Sequence, residues 1–202
     1  MAETVKKSPV AQLAGVCGSV ALGYLLIHLE INLGTLDILP DWVGFLLMVE
    51  AIGELAEQQP SARLLRPLGL LLAAWNFVAW VDAIFSIDLS WGGGFSDLPV
   101  LALVIRVVSL YFHFQLLTNI ADAAEGYIPD QCAILRRRRT MQTLFLTLIA
   151  LPLPWTDEWF YASLVLLLAT LIVAFTLWWQ LRVMKAELLE LDKTLCWQID
   201  QP

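Results

Sequence analysis

The stretch Trp159–Leu181, WFYASLVLLLATLIVAFTLWWQL, decides the fold class, because it holds 23 consecutive residues without a charged side chain. A helix of this length is about 34 Å long, which is enough to cross roughly 30 Å of hydrocarbon. The whole chain has the same character, since 59% of its 202 residues are hydrophobic and 15% are charged, against about 45–50% and about 25% in soluble domains. The composition predicts an all-α membrane protein. It excludes a disordered chain, a disulfide-rich miniprotein and a basic nucleic-acid binder.

Six runs of the sequence, counting this one, are candidates for membrane spans. Their predicted bounds are 9–29, 40–56, 67–86, 98–121, 140–156 and 159–181. The second and fifth runs are near or below the lower limit of about 17 residues; the second also carries Glu50, and two prolines interrupt the fifth. Residues 182–196 form an amphipathic tail that either continues the sixth helix or lies on the membrane surface. We expect residues 1–202 to form one integral membrane domain, a six-helix transmembrane bundle.

The basic residues divide the connections between these runs into two classes. Eleven of the twelve basic residues lie before the first run, between the second and third, between the fourth and fifth, or after the sixth: Lys6, Lys7, Arg63, Arg66, Arg136, Arg137, Arg138, Arg139, Arg182, Lys185 and Lys193. Short loops rich in Lys and Arg stay on the cytoplasmic side of a membrane. We therefore expect all six runs to cross, with both termini in the cytoplasm, and the net charge of −7 to divide into a basic inner side and an acidic outer side.

Four consecutive arginines stand out in the predicted inner connection after the fourth run: Arg136, Arg137, Arg138 and Arg139. Such a run anchors the topology, and it also suits binding to anionic lipid headgroups, at about 1 kcal/mol per residue near the surface. The two interpretations are compatible. No soluble domain accompanies the run, so we expect lipid rather than nucleic acid as its partner.

The densest group of polar residues lies in the predicted outer connection HLEINLGTLDILPDWVG, residues 28–44, and includes His28, Glu30, Asp37 and Asp41. Carboxylates with an imidazole suit a cation or a cationic ligand. The alternative is that these residues only cap and begin helices, with Asp41 complementing the positive end of the second helix. The spacing matches no known metal-binding motif, and Cys17, Cys132 and Cys196 lie far apart, so we expect no metal, no other cofactor and no disulfide.

Part of this segment carries a resemblance. The string INLGTLDILPDWVGFLL, Ile31–Leu47, resembles a group of uncharacterised bacterial multi-pass membrane proteins in which a D-x-L-P-D-aromatic-x-G segment joins the first two helices. The match covers about 20 of the 202 residues, together with the six-helix layout. The resemblance implies a bacterial inner-membrane location and no particular activity.

Ionisable residues inside predicted spans are costly to insert and are therefore candidates for function. Glu50 lies roughly 13 Å, and Arg106 roughly 12 Å, from the outer start of its helix, so we expect an ion pair between them. Asp82 lies near the same zone, and His113 lies further along the fourth run. These four residues form a predicted polar core, which serves either an ion- or solute-responsive site or the register between helices. For His113 the alternative is a packed, hydrogen-bonded side chain.

Three functions remain open from the sequence. The first is a small transporter- or channel-like unit with a polar intramembrane core. The second is an interaction or assembly factor that uses the arginine run and the C-terminal helix. The third is a membrane-embedded enzyme with an outward-facing carboxylate site, which we disfavour because the sequence has no HExxH motif and no nucleophile paired with a histidine. The expected partners are the lipid bilayer and either a second copy of the chain or another protein.

Overall fold

The computed structural model describes residues 8–28, 32–33, 36–37, 40–85, 99–150 and 160–199. Six helices make up most of them: α1 (Pro9–His28), α2 (Asp41–Gln58), α3 (Leu65–Phe85), α4 (Pro99–Ala124), α5 (Pro129–Ala150) and α6 (Phe160–Ile199). A 3-10 helix, Pro60–Leu64, joins α2 to α3. Between α1 and α2, two-residue strands pair antiparallel, β1 (Asn32–Leu33) with β2 (Leu36–Asp37). The all-α class is therefore confirmed.

Local sequence signals fix where several helices begin and end. A proline, which has no N–H to leave unpaired, occupies the first position of three helices: Pro9, Pro99 and Pro129. The Ser8 hydroxyl accepts a hydrogen bond from the Ala11 amide at 3.0 Å and so caps α1. At the end of α4, the carbonyl of Ala124 accepts hydrogen bonds from the amides of Tyr127 and Ile128. These contacts make the turn into α5 short.

The helices pack as a closed ring. Each one packs against the next in sequence, α6 packs against α1, and α4 also touches α1 and α2 across the ring. The end that contains Ser8, Gln58 and Ser61 is called the near end. Hydrogen bonds gather several helices there: Gln58 to the Pro9 carbonyl, Ser61 to Asn119 and Gln131 to Glu187. The opposite end, where α1 ends at His28 and α4 begins at Pro99, is called the far end.

Four helical segments are long and apolar enough to cross a membrane: Pro9–His28, Pro60–Asp82, Val100–Ala124 and Leu164–Trp197. Helices α2 and α5 fall short of this standard, because α2 carries several glutamates and α5 contains the four arginines. Large apolar side chains are also exposed on the outside of the ring, among them Leu71, Val104, Tyr111, Leu168 and Phe175. The architecture is therefore compatible with a membrane protein.

Glycines allow two helices to approach closely. A Cβ built on Gly23 of α1 would lie 2.8 Å from the carbonyl oxygen of Gly44 in α2, and the reverse contact is equally short. Small residues permit such backbone contacts between helices in membrane proteins. Met48 of α2 packs against the same point. The crossing holds α1 and α2 together near the far end.

One expectation about helix bounds is corrected, and one alternative that the sequence left open is decided. The fifth helix begins at Pro129, so the arginine run lies inside α5 rather than in a loop, because Pro129 opens a helix that nothing interrupts before Ala150. The amphipathic tail continues the sixth helix, since α6 runs unbroken for 40 residues, or about 60 Å. Its buried residues recur at steps of three and four over this length, as in a packed helical seam: Thr170, Ala174, Leu177, Leu181, Met184 and Leu188.

Candidate functional site

The inward faces of three helices change from buried to exposed at the same height. Residues seven apart lie on nearly one face of a helix, within about 20°. On α4, Ile120 and His113 are buried but Arg106 is exposed; on α3, Leu65 and Leu72 are buried but Ala79 is exposed. On α6, Ala174 is 4% exposed and Leu167 is 52% exposed. These faces are therefore buried toward the near end and carry exposed residues toward the far end, although Ile105, next to Arg106 on α4, is still buried.

The three exposed residues lie at similar distances from the ends of their own helices. Arg106 and Leu167 each lie seven residues from the start of their helix, and Ala79 lies six residues from the end of α3, which is roughly 9–10 Å at 1.5 Å per residue. The helices do not all end at one level, because Tyr24 and Phe45, each four residues from the far end of its helix, pack against His113, fourteen residues from the start of α4. Helix α4 therefore extends roughly 15 Å beyond α1 and α2 at the far end. We call the exposed positions Ala79, Arg106 and Leu167 the vestibule.

Below the vestibule, polar and aromatic side chains close the ring. The His113 ring centroid lies 5.1 Å from that of Tyr24 and 5.8 Å from that of Phe45, and Gln142 of α5 faces the Tyr24 hydroxyl. In the described part of the chain six buried side-chain atoms have no hydrogen-bond partner, and three of them belong to these residues: Tyr24 Oη, His113 Nδ1 and Gln142 Nε2. We call Tyr24, His113 and Gln142 the floor.

The expected polar core is only partly present. His113 is buried, 5% exposed, but Glu50, Asp82 and Arg106 are exposed. Among the described residues, the ion pairs within 4 Å are those of Arg136, so the expected Glu50–Arg106 pair does not form. The expectation assumed that α2 and α4 begin at the same height, but Phe45, four residues into α2, packs against His113, fourteen residues into α4.

Glu50 points away from the ring. It belongs to an exposed stripe of α2 that also contains Leu46, Gly53 and Glu57, whereas Met48 and Ile52 on the opposite face are fully buried. Further along the stripe, Gln12 of α1 donates a hydrogen bond to the Glu57 carboxylate at 3.3 Å. Phe45, five residues nearer the far end than Glu50, packs against His113, seven residues nearer the near end than Arg106, so Glu50 and Arg106 lie roughly 18 Å apart along the helix axes.

The arginine run mostly binds the chain itself. Arg136 donates hydrogen bonds to Asp122 at 2.8 Å and to both carboxylate oxygens of Glu125 at 2.8 and 2.9 Å. These hydrogen bonds, and then the charge of the guanidinium, lower the pKa of Glu125. They also raise the pKa of Arg136, with the Glu125 contribution the larger. Arg136 thus ties the start of α5 to the end of α4.

Two further arginines brace α5 against its neighbours. Arg138 donates to the backbone carbonyl of Thr176 in α6. Arg139 donates to the Thr118 hydroxyl of α4 at 2.6 Å, and its guanidinium carbon lies 4.1 Å from the Phe114 ring centroid. Arg137 is exposed. The predicted anchoring and lipid-binding role of the run stays a prediction, but three of the four side chains have intramolecular partners.

The predicted outer polar cluster lies only in part within the described residues. The Nδ1 atom of His28 lies 2.9 Å from the Tyr24 carbonyl oxygen in the preceding turn. Asp41 is the first residue of α2, and the Asp37 backbone pairs with Asn32. The Asp37 side chain and all of Glu30 lie outside what is described. Within the described ranges no three His, Cys, Asp or Glu residues are placed to hold a metal ion, and all three cysteines are free.

Comparison with known proteins found no family model, no curated protein and no solved structure that matches this chain. The resemblance of Ile31–Leu47 to bacterial multi-pass proteins stays a prediction. The function of the chain must be inferred from its own residues.

Proposed function

We propose that the chain is a bacterial inner-membrane protein with six spans and cytoplasmic termini, and that it passes a small polar solute through the ring. In this proposal the vestibule opens to the outside, the floor is the barrier, and the near end faces the cytoplasm. The observation that carries the proposal is the change on one face of α4, where His113 is buried and Arg106, seven residues nearer the far end, is exposed.

The packing of α2 and α5 supports six spans. Helix α2 lies along α1 from the Gly23–Gly44 contact near one end to the Gln12–Glu57 bond near the other. A helix that follows a spanning helix over its whole length shares its depth in the membrane. Helix α5 is likewise packed between α4 and α6, two of the helices with apolar spans. The basic residues of the connections then all fall on one side, as short cytoplasmic loops require.

The floor has the chemistry of a solute barrier. A buried polar atom without a partner costs about 1–3 kcal/mol, and the membrane core offers no solvent to satisfy it. A hydroxyl, an imidazole and an amide at the floor therefore favour a hydrogen-bonding solute or water whenever the floor opens. Transporters commonly bind their solutes near the middle of the membrane, between helices.

Cysteine labelling tests the vestibule. Single cysteines are introduced in place of Ala79 and Arg106, with Cys196→Ser as the background because Cys196 is exposed while Cys17 and Cys132 are buried. The matched controls replace a neighbouring residue in each helix, Val78 and Val107, which are exposed at 36% and 58% and which this proposal places against lipid. Thiols react as thiolates, so a membrane-impermeant reagent should modify the vestibule positions from outside and spare both controls.

Passage through the ring adds a second requirement. The floor must open in each cycle, so His113→Cys should react slowly with the impermeant reagent from either side of the membrane. Equal labelling of the vestibule and control positions would overturn the vestibule. Labelling of His113→Cys from neither side, with Ala79→Cys reactive, would leave an open vestibule on a protein that passes nothing.

A second function, assembly with another membrane helix, is favoured by the position of Glu50. A charged side chain at mid-depth costs about 2.5–3.5 kcal/mol when it faces lipid, and Glu50 is exposed on the outside of α2. A partner helix with a polar or basic residue at that height would remove the cost. Cross-linking in the membrane, compared between the native chain and Glu50→Gln, tests this function, with Arg63→Gln at the near end as the control.

A further inference from the structure

We propose that a second copy of this chain packs against the outer face of α1, so that acidic residues of α2 in each copy meet basic residues of α6 in the other. The inference rests on the second proposed function and deepens it, because it names the partner and the basic residue that Glu50 meets. It is carried by unpaired, opposite charges at matched heights on the two helices that flank α1.

Helix α1 lies between α2 and α6, which do not pack against each other in the described part of the chain. One face of α1 touches α4 across the ring, so the opposite face points outward. On this outer face Ala11, Gly15 and Ser19 are partly exposed and Leu22 is 47% exposed, at steps of four and three residues that keep them on one side of the helix. Small residues let helices approach closely in a membrane, so the outer face of α1 can admit another helix.

Charged side chains from both flanking helices reach over this outer face. The carboxylate of Glu54 in α2 comes within 3.4 Å of the position that a Cβ on Gly15 would take. The ammonium group of Lys185 in α6 comes within 2.8 Å of the corresponding position on Gly18. The face is therefore bordered by an acidic helix on one side and a basic helix on the other.

A second pair of charges repeats this arrangement one turn further toward the far end. Glu50 lies four residues from Glu54, and Arg182 lies three residues from Lys185, so each shares the side of its helix with its neighbour. Both Glu50 and Arg182 are exposed, and neither belongs to an ion pair within 4 Å among the described residues. The Arg182 guanidinium has only the ring of Trp178 nearby, 5.9 Å away and on the same helix. Charged side chains are costly when they face lipid, so both would gain from a partner.

Hydrogen bonds to the start of α1 fix the heights of these charges. Gln58 of α2 donates to the Pro9 carbonyl at 2.7 Å, and Asp192 of α6 accepts a hydrogen bond from the serine just before Pro9. Glu50 lies eight residues from Gln58, and Arg182 lies ten residues from Asp192. The two charges therefore lie roughly 12 and 15 Å from the near end, within about 3 Å of each other in height.

A two-fold axis parallel to the helices turns this match into a self-complementary surface. Such an axis leaves every residue at its own height and brings α2 of one copy opposite α6 of the other. Glu50 of each copy then meets Arg182 of the other, and Glu54 meets Lys185. A different protein would have to supply both an acidic and a basic helix at these heights, whereas a second copy supplies both, and complementary charge of this kind selects the partner.

Thiol cross-linking tests whether two copies meet at α1. Leu22→Cys is made in the full chain with Cys196→Ser and treated in native membranes with a short bifunctional thiol reagent. The control is Tyr111→Cys, exposed at 52% on α4 and close in depth, because it lies two residues from His113, whose ring packs against Tyr24. We expect Leu22→Cys to form a product of twice the chain mass and the control to form about tenfold less. Equal products from the two positions would overturn the inference.

Charge reversal in separate copies tests the pairing itself. Glu50→Arg places an arginine against Arg182 of the other copy, and Arg182→Glu places a glutamate against Glu50, so each variant should cross-link with itself about tenfold less through Leu22→Cys, because like charges oppose association. The two variants expressed together with different tags should cross-link with each other as the native chain does, since every contact is again between opposite charges. Arg63→Glu, at an exposed position of the 3-10 helix, should change nothing. Native cross-linking by either variant alone, or none between the two, would overturn the inference.

The mass of the product separates this inference from the function on which it rests. A cross-linked product that is lost with Glu50→Gln but is not twice the chain mass would mean that another protein occupies the face, which overturns the inference and leaves the second proposed function standing. The absence of any product that depends on Glu50 would overturn both. Vestibule labelling is a separate measurement, and neither result changes what it tests.

Discussion

One face of α6 is buried in the near half of the ring and exposed in the far half. On α6, Leu188, Leu181 and Ala174 are all 4% exposed or less, whereas Leu167, one further step along the same face, is 52% exposed. The near half is also tied by polar side chains, as in the bonds from Gln131 to Glu187 and from Gln180 to Gln131. The difference indicates that α6 is held by packing and polar contacts in the near half and that its equivalent positions in the far half are exposed.

The largest expected effect comes from removing the same side chain in each half. Leu181 and Leu167 lie two seven-residue steps apart on one face of α6, and only Leu181 is fully buried. Replacing a buried leucine by alanine costs about 2–5 kcal/mol, so Leu181→Ala should lower the unfolding temperature strongly. Leu167→Ala should leave it nearly unchanged, because this side chain is already half exposed. Thermal unfolding in detergent micelles measures both variants.

The result decides whether the far half is open in the membrane as well. An equally large loss with Leu167→Ala would show that neighbouring helices cover this position and that the vestibule closes. If Leu181→Ala lowered the unfolding temperature only slightly, the near half would not be a packed core, and the contrast between the two halves would be wrong.

The helices were largely predictable from the sequence, but their relative heights were not. The hydrophobic runs predicted the six helices, and the prolines predicted several of their first residues, as at Pro99. Counting from those starts placed Glu50 and Arg106 at similar depths, but the packing of Phe45 against His113 separates them by roughly 18 Å along the helix axes. The cost of placing charge in an apolar helix also singled out Asp82 and Arg106, which are both exposed.

The directions in which residues point were not predictable. A helix surrounded by lipid and protein carries apolar residues on all sides, so hydropathy does not show which face turns inward. Glu50 and Arg106 were therefore paired although Glu50 lies on the exposed stripe of α2 and Arg106 lies at a different height. Tyr24 and Gln142 were missed for a related reason, because an uncharged polar residue in an apolar helix has no distinctive spacing. The floor is recognised only in the structure, where the Tyr24 ring of α1 lies against the His113 ring of α4.

An intermediate effect is expected at the boundary between the two halves. The Tyr24 hydroxyl is buried and faces Gln142 but makes no hydrogen bond of ordinary geometry within the described residues, and an unsatisfied buried polar group costs about 1–3 kcal/mol. Tyr24→Phe removes the hydroxyl and keeps the ring against His113, so it should raise the unfolding temperature. It should also slow the labelling of His113→Cys, because an apolar floor admits water less readily. Gln142→Leu, on the opposite side of the floor, should act in the same direction. A lower unfolding temperature for Tyr24→Phe would show that the Tyr24 hydroxyl makes a hydrogen bond and that water reaches the boundary between the two halves.

The smallest expected effect lies at the near end and depends on pH. Hydrogen bonds from Arg136 lower the pKa of Glu125 below its ordinary value of about 4.5, so the stabilisation is present above that value and is lost as the pH falls through the lowered pKa. Because the pair is exposed and screened by solvent, Arg136→Gln should lower the unfolding temperature slightly at pH 7, and the difference from the native chain should vanish near pH 2. Arg137→Gln, on the next residue of α5, should show no such pH dependence.

Vestibule labelling at Ala79→Cys should be the same in the presence and absence of Arg136→Gln, because the arginine acts on the near half alone. A change in labelling would show that the two halves are coupled.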